Sequence, residues 1–156
     1  MLKVIMLFSV VALSSGSLLS AATIKCKECS EYYIVVSNIT KDISQVKFGR
    51  NIYVRTGASK KLAIDAIFFK NKKINEKLFG EVVSLLDFPD DSVRYWVARA
   101  IGNLGASGRP AVPRLKKLLS EVDCLPGSKT SASGIRFALS QMGVPEPPHQ
   151  KCTYRY

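Results

Sequence analysis

The stretch "DDSVRYWVARAIGNLG", residues 90–105, decides the fold. Its apolar residues are Val93, Trp96, Val97, Ala100, Ile101 and Leu104. Their spacing of three and four residues predicts an amphipathic helix with one buried stripe. Asp91 or Ser92 can accept hydrogen bonds from the free amides of the first turn. Gly105 can adopt the left-handed conformation that ends a helix.

The segments around this stretch repeat one another. "NEKLFGEVVSLLD", residues 75–87, aligns with part of "RPAVPRLKKLLSEVD", residues 109–123, after a shift of 33 residues. The shift superimposes apolar positions, with Phe79 on Val112, Val82 on Leu115, Leu85 on Leu118 and Leu86 on Leu119. The opening stretch itself recurs 38 residues later, where Ala138, Leu139, Met142 and Gly143 align with Ala100, Ile101, Leu104 and Gly105. A period in the thirties built from two helices is typical of an α-solenoid.

The run "LLDFPDDSVRYWVARAIGNLG" followed by "AVPRLKKLL" resembles the HEAT-like (armadillo-type) helical repeat family. The resemblance is good over residues 75–143 and weak over residues 59–70. It implies an all-α fold, a short right-handed α-solenoid of about two to three helix pairs. It also implies a structural role for Arg94, paired with Asp90 or Asp91 near the turn between helices. Trp96 belongs to the apolar stripe and is predicted to lie in the core.

The chain ends differ from this central region. Residues 1–22 contain an early Lys3, an apolar run and a small-residue end, the order found in secretory signal peptides. We therefore expect cleavage after residue 22 and an exported product, periplasmic or secreted, with a retained N-terminal anchor as the alternative. Residues 23–144 are predicted to form the helical domain. Residues 145–156 contain three prolines and are predicted to be an extended tail.

The segment of residues 26–56 allows two interpretations. "YYIVV" favours a strand by composition. However, the apolar side chains from Tyr32 to Val46 follow helical spacing: Tyr32, Val36, Ile39, Ile43 and Val46. We favour the helix, because it would supply the missing first helix before Lys60.

The four cysteines point first to disulfides, because an exported protein meets an oxidising compartment. They are Cys26, Cys29, Cys124 and Cys152. The favoured pairing joins Cys26 to Cys29 and Cys124 to Cys152, and the second bond would tie the tail to the last repeat. The alternatives are redox-active thiols in the Cys26–Cys29 motif, which would make the protein a thiol-disulfide oxidoreductase, or a zinc site.

The sequence carries a formal charge of +11, and its basic residues are concentrated. Between Lys47 and Lys77 nine basic residues accompany two acidic ones. Such a field favours an acidic partner, either a protein patch or, more weakly, an anionic membrane or wall polymer. Nucleic acid is disfavoured by the export signal.

No catalytic motif accompanies these features. The single histidine, His149, lies in the proline-rich tail without a carboxylate motif around it. We predict no catalytic residues, no metal and no cofactor. The predicted function is therefore a non-enzymatic protein-binding module, in one version an immunity or inhibitor protein against an envelope-acting toxin or enzyme. A basic adaptor at a membrane or cell-wall surface is a further alternative.

The binding surface of such a module would be formed by the second helices of the repeats. The candidate contact residues are Lys60, Lys61, Tyr95, Arg99 and Arg136. Tyr95 and Arg99 lie four residues apart and off the apolar stripe, and aromatic and arginine side chains are frequent at binding hot spots.

Overall fold

The computed structural model describes residues 16–70, 72–124 and 129–149, with side chains from residue 29 onward. All the regular secondary structure in this part of the chain is helical, and it contains no strand. Its α-helices are α1 (Gly16–Phe48), α2 (Ile52–Asp65), α3 (Glu76–Ser84), α4 (Asp91–Asn103), α5 (Val112–Val122) and α6 (Ser131–Gln141). Short 3-10 helices follow α2, α3 and α4, at Ala66–Phe69, Leu85–Asp87 and Gly105–Ala111. The predicted all-α fold is confirmed.

The chain divides into two compact units, Met1–Tyr33 and Ile34–Tyr156. Helix α1 extends through this boundary, and the other helices belong to the second unit. Among the described residues, no helix combines the length and apolar character needed to cross a bilayer. The expected cleavage point after residue 22 falls within α1 and stays a prediction.

The segment of residues 26–56 forms helices rather than a strand. Helix α1 ends at Phe48 and α2 begins at Ile52. Ile39, Ile43 and Val46, three residues of the predicted stripe, are fully buried. The helical spacing therefore decided the structure against the β-propensity of "YYIVV", because burial of the stripe outweighs local preference. At the other end, residues 144–149 form no helix; the extended tail predicted for residues 145–156 stays a prediction.

The ends of α4 show how the local sequence sets the helix boundaries. The carboxylate of Asp90, rather than that of Asp91 or Ser92, caps the helix by accepting the Val93 N–H at 3.0 Å. The predicted cap was therefore wrong by one residue, because Asp91 is already helical. Gly105 adopts the left-handed conformation, with φ of 59°, and Gly143 does the same after α6 with φ of 67°. The two glycines were aligned by the repeat, and both lie at the equivalent turn.

The core repeats in the same register as the sequence. Ala100 and Ala138 are both inaccessible to solvent, and so are Ile101 and Leu139. The first helices of the two pairs show the same agreement. Val82, Leu85 and Leu86, in α3 and the 3-10 helix after it, are buried, and so are their counterparts Leu115, Leu118 and Leu119 in α5. The helices thus form pairs whose equivalent faces build one continuous core, as expected of a helical repeat.

Helix α4 lies between α2 and α6, and the three run in parallel. The Arg55 guanidinium at the start of α2 lies over the Phe88 ring, just before α4, and the Asn103 amide at the end of α4 donates to Ala63 O of α2 at 2.6 Å. On the other side, Gly102 packs directly on the Ala138 backbone. Helix α4 is therefore enclosed on two sides, which explains how deeply it is buried.

Candidate protein-binding face

Four side chains from the three parallel helices meet on one surface of the second unit. Lys60 belongs to α2, Trp96 and Arg99 to α4, and Phe137 to α6. These four residues are called the cation–aromatic cluster below. Lys60 is exposed, and the other three are half-buried.

The two cations of the cluster rest on aromatic rings. Lys60 Nζ lies 5.7 Å from the centre of the Trp96 ring. Arg99 Cζ lies 3.9 Å from the centre of the Phe137 ring and 5.9 Å from that of Trp96. Both arrangements are within the range of about 6 Å over which cation–π attraction acts. The contacts link α2, α4 and α6 and hold both charges at defined positions.

These charges have no acidic counterpart among the described residues. Within the described ranges, none of the ion pairs involves Lys60 or Arg99. An aromatic ring orients a cation but does not neutralise it, so the cluster keeps its positive charge. It is therefore a positively charged surface backed by aromatic rings.

The burial of Tyr95 and Trp96 is the reverse of what was predicted for them. Tyr95, predicted at the surface, is only 8% exposed, and its backbone packs against Gly134 of α6. Trp96, predicted in the core, is half-buried beneath the cations of the cluster. The reason is that α4 contacts α6 as well as α2, so a face outside the single apolar stripe is also covered. The Tyr95 hydroxyl still supports the cluster by accepting from Arg99 at 3.3 Å.

Two other predicted contact residues lie outside the cluster. The Arg136 side chain, expected on the binding surface, is largely buried and donates to Asp123, Glu146 and the Pro147 carbonyl. It fixes the described part of the tail against α6 instead of facing a partner. Lys61 is exposed, but it lines a cavity between α1 and α2 rather than the cluster.

The acidic turn and the arginine after valine act in packing. Arg94 forms an ion pair with Asp91 at 3.3 Å and donates to the Phe88 carbonyl at 3.2 Å. Asp91 also accepts hydrogen bonds from Ser131, the first residue of α6. The resemblance allowed two acidic partners for Arg94, and in the structure the partner is Asp91. The hydrogen bonds between Asp91 and Ser131 join two neighbouring repeats.

The cavity between α1 and α2 contains a buried carboxyl group. Its volume is about 280 Å³, and Asp42, Lys61 and Asp65 are among its lining residues. Burial, with the nearby Asp65 charge, raises the pKa of Asp42 to about 6, although Lys61 and Lys41 oppose the shift. Ionised Asp42 therefore opposes folding. No described group of three His, Cys, Asp or Glu side chains is arranged to hold a metal ion.

One of the two predicted disulfides is absent from the structure, and the other lies partly outside the described residues. Cys29 is a free, exposed thiol, so the predicted Cys26–Cys29 disulfide is wrong. The two positions lie on one continuous helix, α1, well after its first turn. Cys124 is disulfide-bonded, and the predicted partner Cys152 lies outside the described residues.

Phe137 is the member of the cluster that sequence reasoning missed. The signal was present in the repeat register, because Phe137 precedes Ala138 as Arg99 precedes Ala100. Equivalent positions on adjacent parallel helices lie side by side, which places the Phe137 ring against the Arg99 guanidinium. The shift of 38 residues that aligned the two helices could have predicted this pair.

Comparison with known proteins supports the repeat interpretation at its centre. Residues 93–121 match the PBS lyase HEAT-like repeat family. Neither the comparison with curated proteins nor that with solved structures gives a match. The matched segment covers most of α4, the following 3-10 helix and nearly all of α5. The chain thus contains a HEAT-like repeat segment within an all-helical fold, the kind of repeat that generally serves as a helical protein-interaction module.

Proposed function

We propose that the chain is a non-enzymatic protein-binding module whose cation–aromatic cluster binds an acidic segment of another protein. The observation that carries the proposal is the placement of Lys60 and Arg99 on aromatic rings across three parallel helices. The HEAT-like repeat supports the general role, and the cluster supplies a specific surface for it.

The composition of the cluster suits a binding hot spot. Tryptophan and arginine are enriched where protein interfaces gain most of their energy. The rings restrict Lys60 and Arg99 before binding, so less side-chain entropy is lost when a carboxylate arrives. Half-buried rings also offer apolar area beside the charges. A partner that fits would carry acidic residues next to an apolar or aromatic side chain.

The biological setting belongs to the same proposal. The basic, apolar and small-residue order of residues 1–22 supports export. In an envelope, a small basic helical module suits an immunity or inhibitor protein that occupies an acidic surface of a toxin or wall-acting enzyme. N-terminal sequencing of the protein recovered from the envelope or the medium tests cleavage of this segment: a chain beginning at Thr23 supports cleavage, a chain that retains residues 1–22 contradicts it, and recovery from neither fraction contradicts export.

The binding surface can be tested through Trp96, because it is the only tryptophan in the chain. A short peptide rich in Asp and Glu is titrated into the protein at about 0.15 M salt, and a peptide with Asn and Gln at the same positions serves as control. We expect a saturable change in Trp96 fluorescence with the acidic peptide alone.

Two double variants make this test specific for the cluster. Lys60→Glu with Arg99→Glu should abolish the fluorescence change. Lys116→Glu with Lys117→Glu alters the net charge equally on α5, where both lysines are exposed, and should preserve it. An equal response of both double variants, or of both peptides, would overturn the assignment of the cluster as the binding surface.

A further inference from the structure

A second surface, at the turn between α1 and α2, combines exposed apolar side chains with basic ones. Phe48, the last residue of α1, is 80% exposed, and Tyr53 in the first turn of α2 is 84% exposed. Ile52 and Val54 beside them are also exposed. Several large apolar side chains this accessible are unusual within so short a segment, and such exposed segments mark interaction sites. Residues 47–54 are called the α1–α2 tip below.

The charged side chains of the tip are all positive. No Asp or Glu occurs from Ile43 to Ile64, whereas the same segment contains Lys47, Arg50, Arg55, Lys60 and Lys61. In the part of the chain that the structure describes, neither Lys47 nor Arg50 takes part in an ion pair. The tip therefore presents aromatic rings inside a positive field and complements a surface that is both apolar and negatively charged.

The turn is held in a fixed shape. The Gly49 N–H donates to the Gln45 carbonyl at 2.9 Å, and Arg55 Nε donates to the Gly49 carbonyl at 2.9 Å. The Asn51 side chain caps α2 by accepting the Val54 N–H at 3.0 Å. Because these bonds already order the backbone, the turn loses little conformational entropy when the tip binds.

We propose that the α1–α2 tip binds the surface of an anionic lipid bilayer, with the Phe48 and Tyr53 rings entering the interface and Lys47 and Arg50 facing the lipid headgroups. A tyrosine ring with its polar hydroxyl favours the membrane–water boundary, the apolar Phe48 ring gains free energy when it leaves water, and basic side chains are attracted to anionic headgroups. A folded acidic protein would satisfy the charges but would not require two almost fully exposed aromatic side chains. The inference is independent of the cation–aromatic cluster.

The test uses a tryptophan placed at the tip and brominated lipids, which quench tryptophan within the bilayer. The full chain carries Trp96→Phe, to remove its only tryptophan, together with Tyr53→Trp. The matched control carries Trp96→Phe with Ile67→Trp. Ile67 is 54% exposed and lies beyond the opposite end of α2, a helix of 14 residues and therefore about 21 Å long.

Vesicles containing brominated anionic lipid should quench the tryptophan introduced at position 53 and leave the one at position 67 unquenched. Phe48→Ser should reduce the vesicle affinity of the tip about tenfold, since one buried aromatic side chain is lost. Equal quenching at both positions, or none at position 53, would overturn the proposal. Binding to a soluble polyanion with no quenching by vesicles would also overturn it and would indicate a wall polymer as the occupant.

Discussion

Asp91, in the first turn of α4, accepts hydrogen bonds from both the backbone N–H and the hydroxyl of Ser131, the first residue of α6. One carboxylate therefore binds the positive start of the neighbouring helix, while it also pairs with Arg94 of its own helix. The acidic turn is a connection between repeats, and not only a feature of one helix.

This relationship predicts that Asp91→Ala lowers the free energy of unfolding by about 1.5–3 kcal/mol, the usual range for a hydrogen bond to a charged group. Asp90→Ala, which removes only the local cap of α4, should cost about 1 kcal/mol. Urea unfolding of both variants and of Ser131→Ala measures the difference. Additive effects of Asp91→Ala and Ser131→Ala would contradict a direct link between the repeats, since residues in contact show coupling.

The close approach of α4 and α6 predicts that Gly134→Ala is destabilising. A Cβ atom at this position would lie 2.6 Å from the Tyr95 carbonyl oxygen, and the rigid backbone cannot move away without separating the helices. We expect a loss of about 1–3 kcal/mol in unfolding free energy. Gly80→Ala is the matched control, because its Cβ meets no atom within 4 Å. It should stabilise α3 by about 0.5–1 kcal/mol, and a similar gain for Gly134→Ala would refute this packing.

The raised pKa of Asp42 predicts that the free energy of unfolding falls as the pH rises. Its pKa is about 6 in the folded chain, above the unfolded value near 3.8, so the folded state binds the proton more tightly. The stabilisation from this proton is complete below pH 4 and is lost between about pH 4 and pH 6. Asp42→Asn should therefore raise the unfolding free energy by about 1–3 kcal/mol at pH 7.5 and bring little benefit at pH 4.

Urea unfolding at the two pH values measures this effect, with Glu121→Gln as an exposed control. An Asp42→Asn variant with the same advantage at pH 4 and pH 7.5 would show that the gain does not come from the titration of this carboxyl.

The sequence could predict the helices because their signals are local. Residues 90–105 contain the stripe, the acidic start and the final glycine of α4, and the repeat carries the same information to Gly143. The all-α fold followed from the repeat and its resemblance to the HEAT-like family, and the helix at Ile39–Val46 followed from the helical spacing together with the need for a first helix before Lys60. The HEAT-like match at residues 93–121 supports the same centre.

The burial of individual side chains was less predictable, because it depends on how α4 packs against two neighbouring helices at once. A single stripe identifies one buried face of α4, whereas packing against both α2 and α6 also buries Tyr95 and leaves Trp96 half-exposed. Arg136 was expected at the surface because Asp123 and Glu146, its partners, are distant in sequence and are brought to it by the tail and the end of α5. The contact role of Lys60 and Arg99 stays a prediction, and the structure adds the rings on which the two cations rest.

The cation–aromatic cluster is tested best by a pull-down from an envelope extract of the source cells with three baits. They are the oxidised protein, its Lys60→Glu/Arg99→Glu variant and its Lys116→Glu/Lys117→Glu variant. We expect one protein to be retained at moderate salt by the first and third baits and lost from the second. The same protein, purified and added back, should alter Trp96 fluorescence. Equal retention by all three baits, or by none of them, would contradict a binding face built on Lys60, Trp96, Arg99 and Phe137.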